Sequence, residues 1–190
     1  LRKKIRTDKR KSYSFTERRV DMSFPTVSVN CLVKNEEVLI RAALKSVFQI
    51  AHEIFIIDND STDKTCDVIR EVIKDCKCRV EMVHSSSDDI AAMRNQMLAE
   101  SKCEYILTLD SDEVFGDDIY NCIQAMNDTI LANEQLKNTR FVFVPFYHFY
   151  GDTRHLLAEF PKPVVRFIRN KTDIKWIYPD GLKIHEYPKI

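Results

Sequence analysis

The chain has 190 residues, no net formal charge at pH 7 and 44% apolar residues, a composition that suits one domain with a single core. A chain of this length buries roughly 70% of the surface that its unfolded form exposes. No run of about 18 apolar residues is present, so the sequence shows neither a membrane span nor a signal peptide.

The charge is unevenly distributed along the chain. Residues 1–19 carry nine Lys and Arg against two acids, which leaves a net charge of −7 on the rest. We expect residues 1–23 to form a basic N-terminal arm, either a solvated lead-in or a peripheral contact with an anionic membrane. The core carries no basic footprint, so no nucleic-acid partner is expected.

Six cysteines could in principle form three disulfides, but their spacing argues against it. Cys66 and Cys76 would lie roughly 15 Å apart on one helix, too far to bridge. Cys76 and Cys78 lack a second pair at zinc-finger spacing. The sequence therefore predicts reduced thiols and a cytoplasmic protein.

Apolar periodicity predicts alternating strands and helices through the first two thirds of the chain. The helix at 36–50 carries an apolar stripe at Leu39, Ala43, Val47 and Ile50. The predicted elements are strands at 24–33, 54–57, 79–83 and 105–109, separated by helices at 36–50, 61–76 and 88–97, with a further helix at 117–131. This order predicts an α/β fold, a doubly wound, mostly parallel sheet that binds ligands at the carboxyl ends of its strands.

The last third of the chain has a different pattern. Residues 140–149 are rich in aromatic and β-branched side chains, and 164–168 and 174–178 are short strand candidates. We expect a mixed β second half, within one domain at 24–190.

Two pairs of carboxylates follow predicted strands. In an extended chain Asp110 and Asp112 leave on the same face and can converge on one hard cation. Asp58 and Asp60 form a second pair at another strand end, where a helix cap and turn without ligand is the alternative.

Four segments in register carry a family resemblance. They are Val33-Lys34-Asn35-Glu36-Glu37, Ile57-Asp58-Asn59-Asp60-Ser61-Thr62-Asp63, Ala92-Met93-Arg94-Asn95 and Leu109-Asp110-Ser111-Asp112-Glu113. A weaker fifth runs from Arg166 to Asn170 and on to His185-Glu186. Together they make the chain resemble the family 2 glycosyltransferases of the GT-A fold, in particular the subgroup with Lys-Asn-Glu after the first strand.

The resemblance implies a metal-dependent glycosyltransferase that uses a nucleotide diphosphate sugar, UDP-sugar favoured, and inverts the sugar. It implies an acceptor that is a saccharide, a lipid-linked glycan or a protein. It assigns Mn²⁺ or Mg²⁺ to Asp110, Asp112 and His185, and catalysis to Asp112, Arg94 and a general base at Glu186, with Asp180 and Asp152 in reserve. The nucleotide-sugar-binding residues that it implies are Leu32, Lys34, Asn35, Glu36, Asp58, Asn59, Arg94, Asp110 and Ser111.

Three alternatives stay open at the level of sequence. Arg94 could instead pair structurally with Asp110 or Asp112, since a charge beside an apolar stripe needs a partner. Residues 109–114 also resemble the first motif of haloacid-dehalogenase phosphatases, in which the first Asp is a nucleophile. The short tail after Glu186 favours a fragment of a longer enzyme, or a non-catalytic module that binds nucleotide sugars without turnover.

Overall fold

The computed structural model describes residues 24–150, 152–156, 162–170, 173–178 and 187–189. The predicted arm at 1–23 and the proposed site residues Asp180, His185 and Glu186 lie outside the described residues. For Asp152 the structure describes only the backbone.

Ten strands and four α-helices make up the described part of the chain. The strands are β1 Val27–Val33, β2 Glu53–Asn59, β3 Arg79–Ser85, β4 Tyr105–Asp110, β5 Phe141–Phe146, β6 Phe149–Tyr150, β7 Asp152–Leu156, β8 Lys162–Arg169, β9 Lys175–Ile177 and β10 Tyr187–Lys189. The helices are α1 Ile40–Val47, α2 Thr65–Val72, α3 Ile90–Glu100 and α4 Ile119–Ala132.

Six strands form the central sheet, in the order β3-β2-β1-β4-β8-β5. The first four are parallel, while β8 is antiparallel to both β4 and β5. The prediction of a doubly wound, mostly parallel sheet with a mixed second half is therefore confirmed. Parallel strands need crossover connections, and α1, α2 and α3 supply them.

Both faces of β1, β2 and β4 are buried, because helices cover each face, whereas the edge strand β3 is only half-buried. Ile54 and Ile56 pack in the cluster that contains the buried residues of α1 and α2. Phe55 and Ile57 point the other way and pack with Met93 and other residues of α3. Alternate residues of one strand thus serve two cores, which explains why β2 reads as a continuous apolar run.

The first helix is shorter than predicted. It begins at Ile40 rather than at residue 36, because residues 37–39 form a turn and the residues before the helix are bonded to the next loop. The Glu36 amide donates to Thr65 Oγ1 (2.7 Å) and the Glu37 amide to Asp63 Oδ2 (3.1 Å). Side chains of the loop between β2 and α2 therefore bind the amides of residues 36 and 37, and the apolar stripe of the sequence does not predict these bonds.

All six cysteines are free thiols, in agreement with the predicted reduced state. Within the described ranges, none of the helices has both the length and the apolar character needed to cross a bilayer.

Candidate functional site

The carboxyl ends of the four parallel strands meet at one edge of the sheet. The strand order reverses between β1 and β4, whose ends lie side by side, with Leu32 opposite Asp110. In open α/β sheets the crevice beside such a reversal is where ligands bind. The topology therefore brings the predicted residues of the first, second and fourth segments to a single edge.

Asn35 fixes the loop after β1 against the loop after β2. Its φ of 53° lies in the left-handed region, which Asn tolerates better than most residues. The Asn35 amide donates to Ser61 Oγ (2.9 Å), and its Oδ1 accepts from the Thr62 amide (2.8 Å). The predicted nucleotide-sugar-binding role of Asn35 remains a prediction, and its observed contacts shape the edge of the site.

The neighbouring Lys34 and Glu36 differ in their surroundings. Lys34 is exposed, whereas Glu36 is half-buried. Burial raises the pKa of Glu36, and the negative charges of Asp112 and Asp63 raise it further. The influence of Asp112 on Glu36 shows that the first and fourth segments share one electrostatic environment.

Asp58, at the end of β2, is only 2% exposed. One of its carboxylate oxygens accepts hydrogen bonds and the other has no partner among the described residues. Its Oδ2 lies 3.0 Å from His84 Nδ1 and accepts from the Ser61 amide (3.4 Å). Burial alone would raise the pKa of Asp58, but hydrogen bonds from Ser61, His84 and Cys66 outweigh it and lower that pKa. Among the described residues, Asp58 Oδ1 and the adjacent Asn59 Oδ1 are buried acceptors with no hydrogen-bond partner.

An open pocket of about 350 Å³ lies over this end of β2 and β3. Small-molecule sites generally occupy clefts of 300–1,000 Å³. The lining residues are Asp58, Asp60, Ser61, Cys66, His84, Ser85 and Ser86.

Asp110, the last residue of β4, is held by two arginines. Arg94 Nη2 donates to Oδ1 (2.8 Å) and Arg166 Nη2 to Oδ2 (2.7 Å). Arg166 also forms a bidentate pair with Glu113, with Nε donating to Oε2 (2.8 Å). Burial raises the pKa of Glu113 even though Arg166 opposes the rise.

Asp112 is placed differently from the prediction. The strand ends at Asp110, and the Glu113 amide donates to the Asp110 carbonyl (3.0 Å), so the chain turns instead of staying extended. The period-two argument for Asp110 and Asp112 was therefore wrong, because it requires extended backbone at both residues. Ser111 is buried, and Asp112 is exposed with no ion pair to any other described residue.

Arg94 is only 8% exposed, on the apolar side of α3. Its guanidinium carbon lies 4.9 Å from the centroid of the Trp176 ring. The adjacent Asn95 holds β9 in place, since the Trp176 amide donates to Asn95 Oδ1 (2.7 Å). The structural ion pair weighed in the sequence analysis is thus formed, between Arg94 and Asp110.

Four residues of this edge were outside the predicted site. Arg166 and Glu113 complete the ion-pair network around Asp110, and Cys66 and His84 line the pocket at Asp58. The sequence does contain an indication of a role for Arg166, because this charged residue interrupts the apolar run of β8. His84 could be found only from the pairing of β3 with β2.

The donor set suits a hard divalent cation. Mg²⁺ and Mn²⁺ take oxygen ligands, and Mg²⁺ is commonly held by one or two carboxylates together with substrate phosphates and water. Asp112 offers an exposed carboxylate, and each Asp110 oxygen keeps a lone pair beyond its arginine bond. The oxygen donors that Asp110 and Asp112 offer are therefore of the type that such an ion takes.

Comparison with known proteins finds relatives among the glycosyltransferases. The chain is 27% identical over 134 residues to the SPbeta prophage-derived glycosyltransferase SunS of Bacillus subtilis (strain 168), covering 70% of this chain and 31% of that protein. It is 31% identical over 101 residues to an uncharacterized glycosyltransferase of Haemophilus influenzae, covering 51% of this chain and 40% of that one. This chain thus spans between about a third and two fifths of the length of these curated relatives.

Among solved structures, residues 1–349 of S. aureus TarS in complex with UDP-GlcNAc match with a TM-score of 0.49 and 22% identity, covering 56% of this chain and 32% of that chain. The family model described as glycosyl transferase family 2 matches residues 28–134, more than half of the chain. The chain belongs to glycosyl transferase family 2.

Proposed function

We propose that this domain transfers a glycosyl group from a nucleoside diphosphate sugar, with UDP-sugars favoured, to an acceptor hydroxyl or other nucleophile with inversion. The observation that carries the proposal is that the pocket at Asp58 and the carboxylates Asp110 and Asp112 lie along one edge of the sheet, at the carboxyl ends of β2 and β4. Family membership agrees with it.

The pocket over β2 and β3 suits a nucleoside base. Asp58 Oδ1 and Asn59 Oδ1 are buried acceptors without partners among the described residues. Leaving a buried polar atom unbonded costs about 1–3 kcal/mol, and a base with an N–H donor recovers part of that cost on binding. A pyrimidine dione carries such a donor, so the pocket is compatible with the UDP-sugars that the family resemblance favours.

The ion-pair network suits the diphosphate. Arg94 and Arg166 lie on either side of Asp110 and are both nearly buried, so their positions are fixed before a ligand arrives. Fixed guanidinium groups lower the entropy that binding costs and favour anionic oxygens. Asp112 and Asp110 would hold the Mn²⁺ or Mg²⁺, which stabilises the negative charge of the departing diphosphate when it is bound.

The remaining assignments are parts of the same proposal. Inversion requires one base, for which Glu186 stays the candidate, and His185 stays the candidate third ligand. The acceptor is a saccharide, a lipid-linked glycan or a protein, and the basic arm at 1–23 would bring the domain to an anionic membrane surface. Residues 24–190 form the transferase domain of what we take to be a longer enzyme.

Calorimetric titration with UDP tests the proposal. We expect UDP to bind in the presence of Mn²⁺ or Mg²⁺ and to bind more tightly than GDP. Asp112→Asn should weaken binding at least about tenfold, or ~1.4 kcal/mol, because the amide removes the charged ligand of the ion. Asp128→Asn, at an exposed acid of α4, is the matched control and should bind like the wild type.

Two results would contradict the proposal. The first is UDP binding of equal strength with and without a divalent ion. The second is equal loss of binding in Asp112→Asn and Asp128→Asn. Slow release of sugar from a UDP-sugar would distinguish an enzyme from the non-catalytic nucleotide-sugar-binding module.

The phosphatase alternative has less support. It requires Asp110 as a nucleophile, but both of its oxygens accept hydrogen bonds from arginines. An oxygen so engaged is a weaker nucleophile, and no observation favours an aspartyl-phosphate intermediate.

A further inference from the structure

Three different metal-ligating groups meet at the pocket over β2 and β3. A carboxylate oxygen of Asp58, the Cys66 sulfur and a His84 ring nitrogen all lie within 4.8 Å of one another. We propose that Asp58, Cys66 and His84 bind a second divalent cation of the borderline-soft class, with Zn²⁺ as the representative ion.

The fold brings these residues together from distant parts of the sequence. Asp58 and His84 are direct partners in the parallel pairing of β2 with β3, so their side chains leave the same face of the sheet. Cys66 is the second residue of α2, the helix that follows β2. A strand end, its neighbour and a helix start are all held by the core, which gives the site a rigid frame.

The spacing is close to what a tetrahedral ion requires. With Zn–N and Zn–O distances of about 2.0–2.1 Å, two such ligands lie ~3.3 Å apart, and a sulfur at about 2.3 Å from the ion lies ~3.6 Å from each. His84 Nδ1 and Asp58 Oδ2 are 3.0 Å apart. Shifts of about an ångström in the positions of the ligand atoms would therefore complete the geometry.

The surroundings favour a cation over a simple hydrogen-bonded pair. Asp58 is almost fully buried, and its Oδ1 has no partner within the described part of the chain. Asp60 lines the same pocket, and the nearby Arg70 is paired with Asp67 (3.0 Å). A buried, partly unsatisfied carboxylate is stabilised by a cation, which supplies the missing contact.

The ligand types set this site apart from the one at Asp112. Thiolate and imidazole select zinc and similar ions, whereas carboxylate and water suit Mg²⁺ and Mn²⁺. The site should therefore bind zinc in the presence of excess magnesium. His84 is exposed, so the ion has a direct route from solvent.

An ion at this site would affect binding of the nucleotide sugar, and this consequence rests on the proposed function. Asp58 Oδ1 is the acceptor assigned to the nucleoside base, and it is also the oxygen whose missing contact the ion would supply. We therefore expect Zn²⁺ and UDP to exclude one another, which would make the ion an inhibitor that acts at the base pocket.

Calorimetric titration of the full reduced chain with Zn²⁺, in excess Mg²⁺, tests the cation site. We expect one ion per chain, and binding weakened at least about tenfold in both Cys66→Ser and His84→Asn. Co²⁺ is a second probe, because coordination by Cys66 gives a sulfur-to-metal charge-transfer band that Cys66→Ser should abolish. His84 is exposed, so His84→Asn should fold even if Cys66→Ser does not.

The thiol pair Cys76 and Cys78 is the competing zinc ligand, since their sulfurs lie 3.2 Å apart. Cys76→Ser and the exposed Cys122→Ser are therefore the matched controls and should bind zinc like the wild type. Absence of zinc binding overturns the site, as does a loss caused by Cys76→Ser but not by Cys66→Ser.

The two proposals fail in distinguishable ways. Zinc binding that leaves UDP affinity unchanged would overturn the exclusion and the assignment of the base to Asp58, while the cation site would stand. Metal-dependent UDP binding without zinc binding would overturn the cation site and leave the proposed function intact.

Discussion

Replacing Arg166 by Met tests whether the ion-pair network holds the fourth strand end in place. Arg166 is 8% exposed, donates to Asp110 and Glu113, and its guanidinium carbon lies 5.0 Å from the centroid of the Phe146 ring. Met keeps most of the apolar stem but removes every donor. Glu113, at 15% side-chain exposure, then loses the positive partner that offsets its burial.

The expected cost follows from that exposure. Removing one partner of a buried ion pair destabilises a protein by about 3–5 kcal/mol. Asp110 keeps 32% side-chain exposure and its bond to Arg94, so solvent offsets part of the loss and we expect about 3 kcal/mol. In a domain of this size that corresponds to a fall in Tm of roughly 6–12 °C.

The loss should also depend on pH. Burial raises the pKa of Glu113 in the folded protein, and removal of Arg166 should raise it further. A carboxyl group with a raised folded-state pKa takes up a proton more readily when folded, so the deficit of the variant should shrink as pH falls through that pKa. The full deficit in stability should be present above that pKa.

Urea unfolding followed by circular dichroism at several pH values measures both effects. The matched control is Arg41→Met, because Arg41 pairs with Glu71 on the surface at 41% and 63% side-chain exposure and should cost less than about 1 kcal/mol. Equal costs for the two variants, or a cost for Arg166→Met that does not change with pH, would refute the reasoning.

Two further predictions concern the loop after β1 and the core beneath the site. Asn35→Ala should destabilise the domain by about 1–3 kcal/mol, because it removes the bond to the Thr62 amide and keeps a β-carbon at φ 53°. Asn35→Gly should cost less, because glycine adopts this φ without strain. Urea unfolding compares the two variants, and equal costs would show that the left-handed backbone carries no strain. Burial, reinforced by the negative charge of Asp110, raises the pKa of the Cys31 thiol to about 12. Cys31 should therefore resist alkylation at pH 8 while the exposed Cys122 reacts, and peptide mass spectrometry measures both. Rapid labelling of Cys31 in the folded protein would contradict its buried position.

The sequence by itself determined the order of elements and the sheet edge to which the candidate site residues belong. Apolar runs such as Ile54–Ile57, alternating with helical stripes, are compatible with few arrangements other than a parallel sheet covered on both faces. The carboxyl ends of parallel strands coincide by construction, so residues that follow β1, β2 and β4 had to meet. The local chemistry of Asp58, Arg94 and Asp110 could be assigned to that edge for this reason.

The tertiary structure alone decided which side chains pair across the edge. Arg166 is 56 residues from Asp110 in the chain, and its contact depends on β8 running antiparallel beside β4. His84 reaches Asp58 only through the register of β3 on β2. Sequence periodicity reports which face a residue takes within its own element, but not which element lies beside it or in which register.

The turn at residue 111 illustrates the same limit at short range. An apolar strand followed by Asp-Ser-Asp reads as a continuous extended segment, yet the Glu113 amide bonds back to the Asp110 carbonyl and separates the roles of the two carboxylates. Arg166 and Arg94 hold Asp110, while Asp112 remains open to solvent. Where a strand ends is set by the contacts available to its last residue, and those contacts come from the folded chain.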